Sequence, residues 1–326
     1  MAIRSTAVLF TLLVALACGG EKKADTVAAA SALPTGEHML AVPDGQVWYK
    51  VSGGGTGTPV ILLHGGPGFS SFYMKPFEQL GDERVVVRYD QLGSGKSART
   101  TDTALFNIAH FVRELDSLRA ALGYDKVALL GHSWGTILAA EYYRAHPQHV
   151  TAIVFASAAL DIPAWERNAR RLVKTLSDAS QKAIAKAEAS GKFADSSYER
   201  ANDEFYGKYV WLRPDKANLD STFATVNEAI YGYMQGPSEY TITGTLKTYD
   251  ATSLLPTIKV PTLFTVGSVD EADPATIRKH AAMTPGSRYA VITDAAHLVT
   301  WDNPVQSVKE VRDFLRAADA TAKAKH

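Results

Sequence analysis

Gly131-His132-Ser133-Trp134-Gly135 holds a serine between two glycines, in the G-x-S-x-G spacing of a nucleophile elbow. A serine hydroxyl attacks carbonyls only when a base takes its proton and a carboxylate fixes and charge-balances that base. The elbow also needs a strand before it and a helix after it. A tight turn between small residues then holds the hydroxyl clear of the backbone. Both are present: Lys126-Val127-Ala128-Leu129-Leu130 reads as a buried strand, and residues 136–143 read as a helix. A bare G-x-S-x-G can arise by chance; this context makes Ser133 the candidate nucleophile.

The partners are expected in the chain order serine, then acid, then histidine. Of nine histidines, His297 lies beyond an apolar run, in Asp294-Ala295-Ala296-His297, where a loop leaves a strand end. His110 and His280 fall within helices and are expected on solvated faces. His146 and His149 flank a helix end, and His132 is expected only to pack within the elbow. Asp270, in Gly267-Ser268-Val269-Asp270, is the first acid beyond another strand end, with Asp273 and Asp294 as rivals. Acyl transfer also needs N–H donors for the oxyanion. One should be the backbone N–H of Trp134. The other should come from His64-Gly65-Gly66-Pro67-Gly68, at Gly66. No H-E-x-x-H motif or His/Cys cluster suggests a metal, and no phosphate-binding loop appears, so no cofactor is expected.

The elements that must position these residues alternate. Residues 39–42 and 46–51 flank Pro43-Asp44-Gly45 as a hairpin. Strands are expected over 59–63, 84–89, 126–130, 150–155, 260–266 and 287–293. Helices are expected over 71–80, 107–122, 136–143, 274–283 and 304–317, with a frayed tail from Ala318. Strands alternating with helices imply an α/β fold, a mostly parallel sheet covered on both faces. Between residues 161 and 245 the text turns helical and polar and offers no buried strand, which reads as a helical cap inserted between core segments 37–160 and 246–320.

Lys plus Arg and Asp plus Glu number 34 each among 326 residues, so charge gives no pull toward nucleic acid. Residues 1–17 read as a signal peptide: Arg4 precedes an apolar stretch too short to span a bilayer. The stretch ends at Cys18, the single cysteine, in Val14-Ala15-Leu16-Ala17-Cys18, which resembles a bacterial lipobox. Residues 18–36 read as a flexible tether. The expectation is export to a bacterial envelope with a lipid anchor at Cys18, or else a periplasmic or secreted protein.

Together HGGPG at 64–68, DQLGSGKS at 90–97, GHSWG at 131–135, GPSEYTITGTLK at 236–247, GSVDEADP at 267–274 and AAHLVTW at 295–301 resemble the proline iminopeptidase (prolyl aminopeptidase) family of α/β-hydrolases. The resemblance spans almost the whole chain after the tether. It implies the α/β-hydrolase fold, and release of an N-terminal residue, proline or another small or apolar one, from peptides. It also implies that Glu239 and Glu271 bind the free α-amino group. An esterase, amidase or lactonase on the same fold is the alternative, since fold does not fix substrate. A non-catalytic surface binding protein is a third reading. Dehalogenases and epoxide hydrolases resemble this fold but carry Asp at the elbow.

Overall fold

In a computed structural model of the protein, residues 34–213 and 216–323 are described. Residues 1–33, on which the expected signal peptide, Cys18 and most of the expected tether fall, lie outside them. The apolar runs form an eight-stranded sheet: β1 (Gly36–Val42), β2 (Gly45–Gly53), β3 (Gly57–Leu63), β4 (Arg84–Tyr89), β5 (Val127–His132), β6 (Val150–Ala156), β7 (Thr262–Gly267) and β8 (Arg288–Ile292). Its spatial order is β1-β2-β4-β3-β5-β6-β7-β8. The β1–β2 hairpin is antiparallel and joins β4 antiparallel; every other pairing is parallel. Val60 to Leu63 and Val127 to Leu130 are buried on both faces, which is why these strands read as continuous apolar runs rather than alternating ones.

Ten α-helices occur among the described residues. α1 (Ile108–Ala121) and α2 (Trp134–Ala145) precede the break in rhythm. Then come α3 (Ile162–Val173), α4 (Asp178–Ser190), α5 (Ser196–Tyr209), α6 (Lys216–Phe223) and α7 (Glu228–Met234), with no sheet strand between them among the described residues. Entry and exit of this insertion are tied together: Ile162 N–H donates to the Tyr249 carbonyl and Ala251 N–H to that of Leu160. α8 (Pro274–Met283), α9 (Val299–Asp302) and α10 (Pro304–Lys323) complete the chain.

Two expectations are corrected here. The last helix runs on to Lys323 instead of fraying at Ala318, because Asp319 has partners across the sheet. It accepts from Thr58 Oγ1 (2.7 Å) and pairs with the buried guanidinium of Arg84 (3.1 Å). His110 and His280 are buried, not solvated. Each sits on its helix's inward stripe, His110 with Phe111, Glu114 and Leu115, and His280 with Ile277 and Ala281. His110 Nδ1 also lies 3.2 Å from the Asp44 carboxylate in the β1–β2 turn.

The chain leaves β3 toward β4 on one side and returns to β5 on the other. Order therefore reverses between β3 and β5, and a crevice opens at the C-terminal ends of those strands. HGGPG follows β3 and the elbow follows β5, so both meet there.

Candidate active site

Ser133 occupies the sharp turn from β5 into α2, with φ 54° and ψ −124°. A non-glycine residue in such a conformation costs on the order of 1–3 kcal/mol. The flanking glycines make the turn possible. A Cβ on Gly131 would lie 2.2 Å from the Gly135 carbonyl oxygen, and one on Gly135 would lie 2.0 Å from that of Leu63. No side chain fits either place. The serine N–H donates to the Ala156 carbonyl at the end of β6 (3.1 Å).

His297 comes in on the loop beyond β8, and its Nδ1 lies 2.8 Å from Asp270 Oδ1. Asp270 is buried three residues past β7 and accepts three further hydrogen bonds: from Ser157 Oγ (2.5 Å), Ala272 N–H (2.8 Å) and Gly267 N–H (3.2 Å). Burial works to raise its pKa, but the His297 charge and the hydrogen bonds from His297, Ser157 and Ala272 outweigh it and hold the carboxyl below its ordinary value. An ionised acid on Nδ1 leaves Nε2 free to take a proton. Ser133 and His297 line one pocket. The rivals are engaged elsewhere: Asp273 caps α8 through Thr276 and pairs with Arg171, and Asp294 is not bonded to His297.

Gly66 lines this pocket beside Ser133. Trp134 opens α2, so its N–H is among the first in the helix, which have no partner within it. Gln91 joins the two loops: its Oε1 accepts the Trp134 indole N–H (2.8 Å) and its Nε2 donates to the His64 carbonyl (3.2 Å).

Two more carboxylates close in on His297. Glu239 lines the pocket and accepts from Tyr231 Oη (2.8 Å). Glu271 is fully buried, with Oε1 3.9 Å from His297 Nε2, and neither of its oxygens accepts a hydrogen bond. Burial raises the Glu239 pKa against the pull of His297 and the Tyr231 hydroxyl. Burial, then the charges of Glu239 and Asp270, push Glu271 well above its ordinary value. No Lys or Arg pairs with either one among the described residues. A buried carboxylate without donors is costly, and perturbed acids gathered in a cleft mark functional sites. Apolar and aromatic side chains, among them Phe69, Tyr206, Trp211, Phe223 and Leu298, make up much of the remaining lining.

The structure thus gathers Ser133, His297, Asp270, Gly66, Trp134, Glu239 and Glu271 around one crevice. Sequence reasoning missed three groups. Ser157 directly follows β6, and its place at a C-terminal strand end beside β5 and β7 was the available signal. His132 does more than pack, since both ring nitrogens have polar partners. The Tyr209 carbonyl, at the end of α5, accepts from Glu271 N–H (3.3 Å) and His297 N–H (3.1 Å), and Leu298 N–H donates to the Val210 carbonyl (2.7 Å). The insertion is therefore fastened to the loops of both the base and the acid.

Against known proteins, the alpha/beta hydrolase fold family model matches residues 58–304. The proline iminopeptidase of Heyndrickxia coagulans is 39% identical over 285 residues, covering 86% of this chain and 99% of that protein. The crystal structure of the proline iminopeptidase of Mycobacterium smegmatis aligns with a TM-score of 0.81 at 28% identity, over 88% of this chain and 99% of the other. The crystal structure of VinJ aligns with a TM-score of 0.83 at 29% identity, over 87% and 100%.

Proposed function

This chain belongs to the proline iminopeptidase family of α/β-hydrolases, and from that membership we propose that it is a serine aminopeptidase releasing an N-terminal proline, or another small or apolar residue, from peptides. Ser133 Oγ attacks the carbonyl carbon of the first residue while His297 Nε2 takes the hydroxyl proton. The oxyanion rests on the N–H groups of Gly66 and Trp134. His297 then gives its proton to the leaving nitrogen, the C–N bond breaks, and the shortened peptide departs. A water attacks the acyl-enzyme as His297 takes one of its protons; His297 then gives that proton to Ser133 Oγ as the ester bond breaks and the amino acid leaves. Asp270 holds the imidazole in the required tautomer throughout.

One observation carries the amine preference: the donor-less, fully buried carboxylate of Glu271 beside His297 Nε2, with Glu239 nearby and no Lys or Arg paired to either among the described residues. A site for neutral esters has no use for two such acids. A substrate ammonium supplies the missing donors and charge, and measures distance from the chain terminus. The test is a panel of aminoacyl anilides, each with a free and an acetylated amine. Hydrolysis of the free-amine members alone supports the reading. Equal hydrolysis of both forms replaces it with an esterase or amidase.

The proposal extends to location. The apolar leader and the unique Cys18 at its end support export to a bacterial envelope with a lipid anchor on that cysteine. Peptides with a free N-terminus are then the partners, and the anchor is the chain's contact with the membrane.

A further inference from the structure

His132, the last residue of β5, is buried, and its ring centroid lies 4.6 Å from that of His297. Its Nε2 lies 2.9 Å from the His297 carbonyl oxygen and its Nδ1 2.9 Å from Tyr73 Oη. Tyr73 Oη in turn lies 2.6 Å from the backbone nitrogen of Gly65. The partners fix the protons. A carbonyl oxygen only accepts, so His132 Nε2 carries the hydrogen. A neutral imidazole then has a bare Nδ1, which only accepts. Tyr73 must therefore donate its O–H to Nδ1, while its oxygen accepts the Gly65 N–H. Burial, and then the charge of His297, hold the His132 pKa down at about 3, so the ring is neutral at neutral pH.

The result is a single directed chain: Gly65 N–H to Tyr73 oxygen, Tyr73 O–H to His132 Nδ1, His132 Nε2–H to the His297 carbonyl. Its first member adjoins the oxyanion donor Gly66, its third adjoins Ser133, and its last is the base. We propose that Tyr73 and His132 are positioning residues that set the oxyanion loop and the base in register across the nucleophile. The inference rests on the serine-hydrolase chemistry of the site, and not on its amine preference. Thr300 Oγ1 also donates to the Tyr73 carbonyl (2.9 Å), tying the tyrosine backbone to α9, just after the base. Without the Tyr73 hydroxyl, Gly65 N–H and His132 Nδ1 lose their partner. His132 can then adopt the other tautomer, which turns a lone pair toward the His297 carbonyl.

The test compares Tyr73→Phe, His132→Gln and His132→Leu on an anilide and on p-nitrophenyl acetate. Each variant is also measured for its unfolding midpoint and its affinity for a boronic acid that mimics the tetrahedral intermediate. A misplacement of about 1 Å in a reacting geometry costs up to roughly 10²-fold. Tyr73→Phe should lower kcat by roughly 10- to 100-fold on both substrates, leave KM little changed, and weaken boronate binding by a similar factor. His132→Gln, whose amide N–H can stand in for Nε2–H, should keep about tenfold more activity than His132→Leu. A purely structural role would lower the unfolding midpoint while the kcat of folded protein and its boronate affinity stayed at wild-type values, and that result overturns the proposal. If Tyr73→Phe does not fold, the histidine pair decides: equal activity of Gln and Leu overturns it. Failure of the amine preference would appear separately, as wild-type hydrolysis of acetylated substrates, and would leave these ratios untouched.

Discussion

Replacing Glu271 with Gln removes one charge and almost no volume, so its consequences are electrostatic. The carboxylate is fully buried, accepts no hydrogen bond and lies beside His297 Nε2. In the empty enzyme it is a liability. Its folded pKa stands well above the ordinary 4.5, through burial and then the charges of Glu239 and Asp270. The sign follows from proton linkage. A carboxyl whose folded pKa exceeds its unfolded one holds its proton more tightly when folded. Its contribution is complete below the unfolded pKa and drains away as pH rises toward the folded value. Glutamine does not titrate. The unfolding midpoint of Glu271→Gln should therefore match or exceed that of the wild type at neutral pH, with the gap widening as pH climbs from about 5 to about 8. Activity should move the other way. Loss of one partner from a buried charged pair costs about 3–5 kcal/mol, which is roughly 10²- to 10⁴-fold in kcat/KM. The assay sets a free-amine anilide against p-nitrophenyl acetate, alongside thermal melts at both pH values. The anilide should suffer the full loss and the acetate little. Equal loss on both, or a lower midpoint at neutral pH, would show that Glu271 serves the fold and not the substrate amine.

Asp270→Asn should leave the fold intact and reduce kcat by ~10⁴, the loss seen when the triad acid of a serine protease is changed this way; steady-state kinetics on the anilide check it. Asp319→Ala should lower stability by about 1–3 kcal/mol in urea unfolding, because Thr58 loses its acceptor and buried Arg84 a close partner. Cys18→Ser should release the protein from membranes or block its processing, as seen by fractionating cells; equal soluble fractions of both forms would indicate simple secretion.

What the sequence made legible was local. An apolar run ending in a glycine-flanked serine and followed by a helix can be read without tertiary knowledge, and so can three glycines and a proline after another run. Asp270 and His297 were legible because each follows a strand end, and strand ends converge in a sheet of this kind. The supports were not legible, because they depend on contacts between distant segments. Ser157 and Asp270 are 113 residues apart, and His132 and His297 are 165 apart. Nothing near Tyr73 in the chain hints at His132 or Thr300. The buried histidines show a different limit. His110 and His280 look polar in a helical pattern, yet they lie on the buried, inward stripe of their helices. The extension of α10 depends likewise on a strand more than two hundred residues earlier.

On the proposed mechanism, Ser133 accepts the acyl group of a residue whose amine is free. This is tested most directly by rapidly quenching the enzyme during turnover of a proline p-nitrophenyl ester and locating the acyl group by peptide mass mapping. A prolyl group should be found on Ser133, and none when the same ester carries an acetylated nitrogen. A prolyl group on another residue, or equal acylation by the acetylated ester, would contradict it.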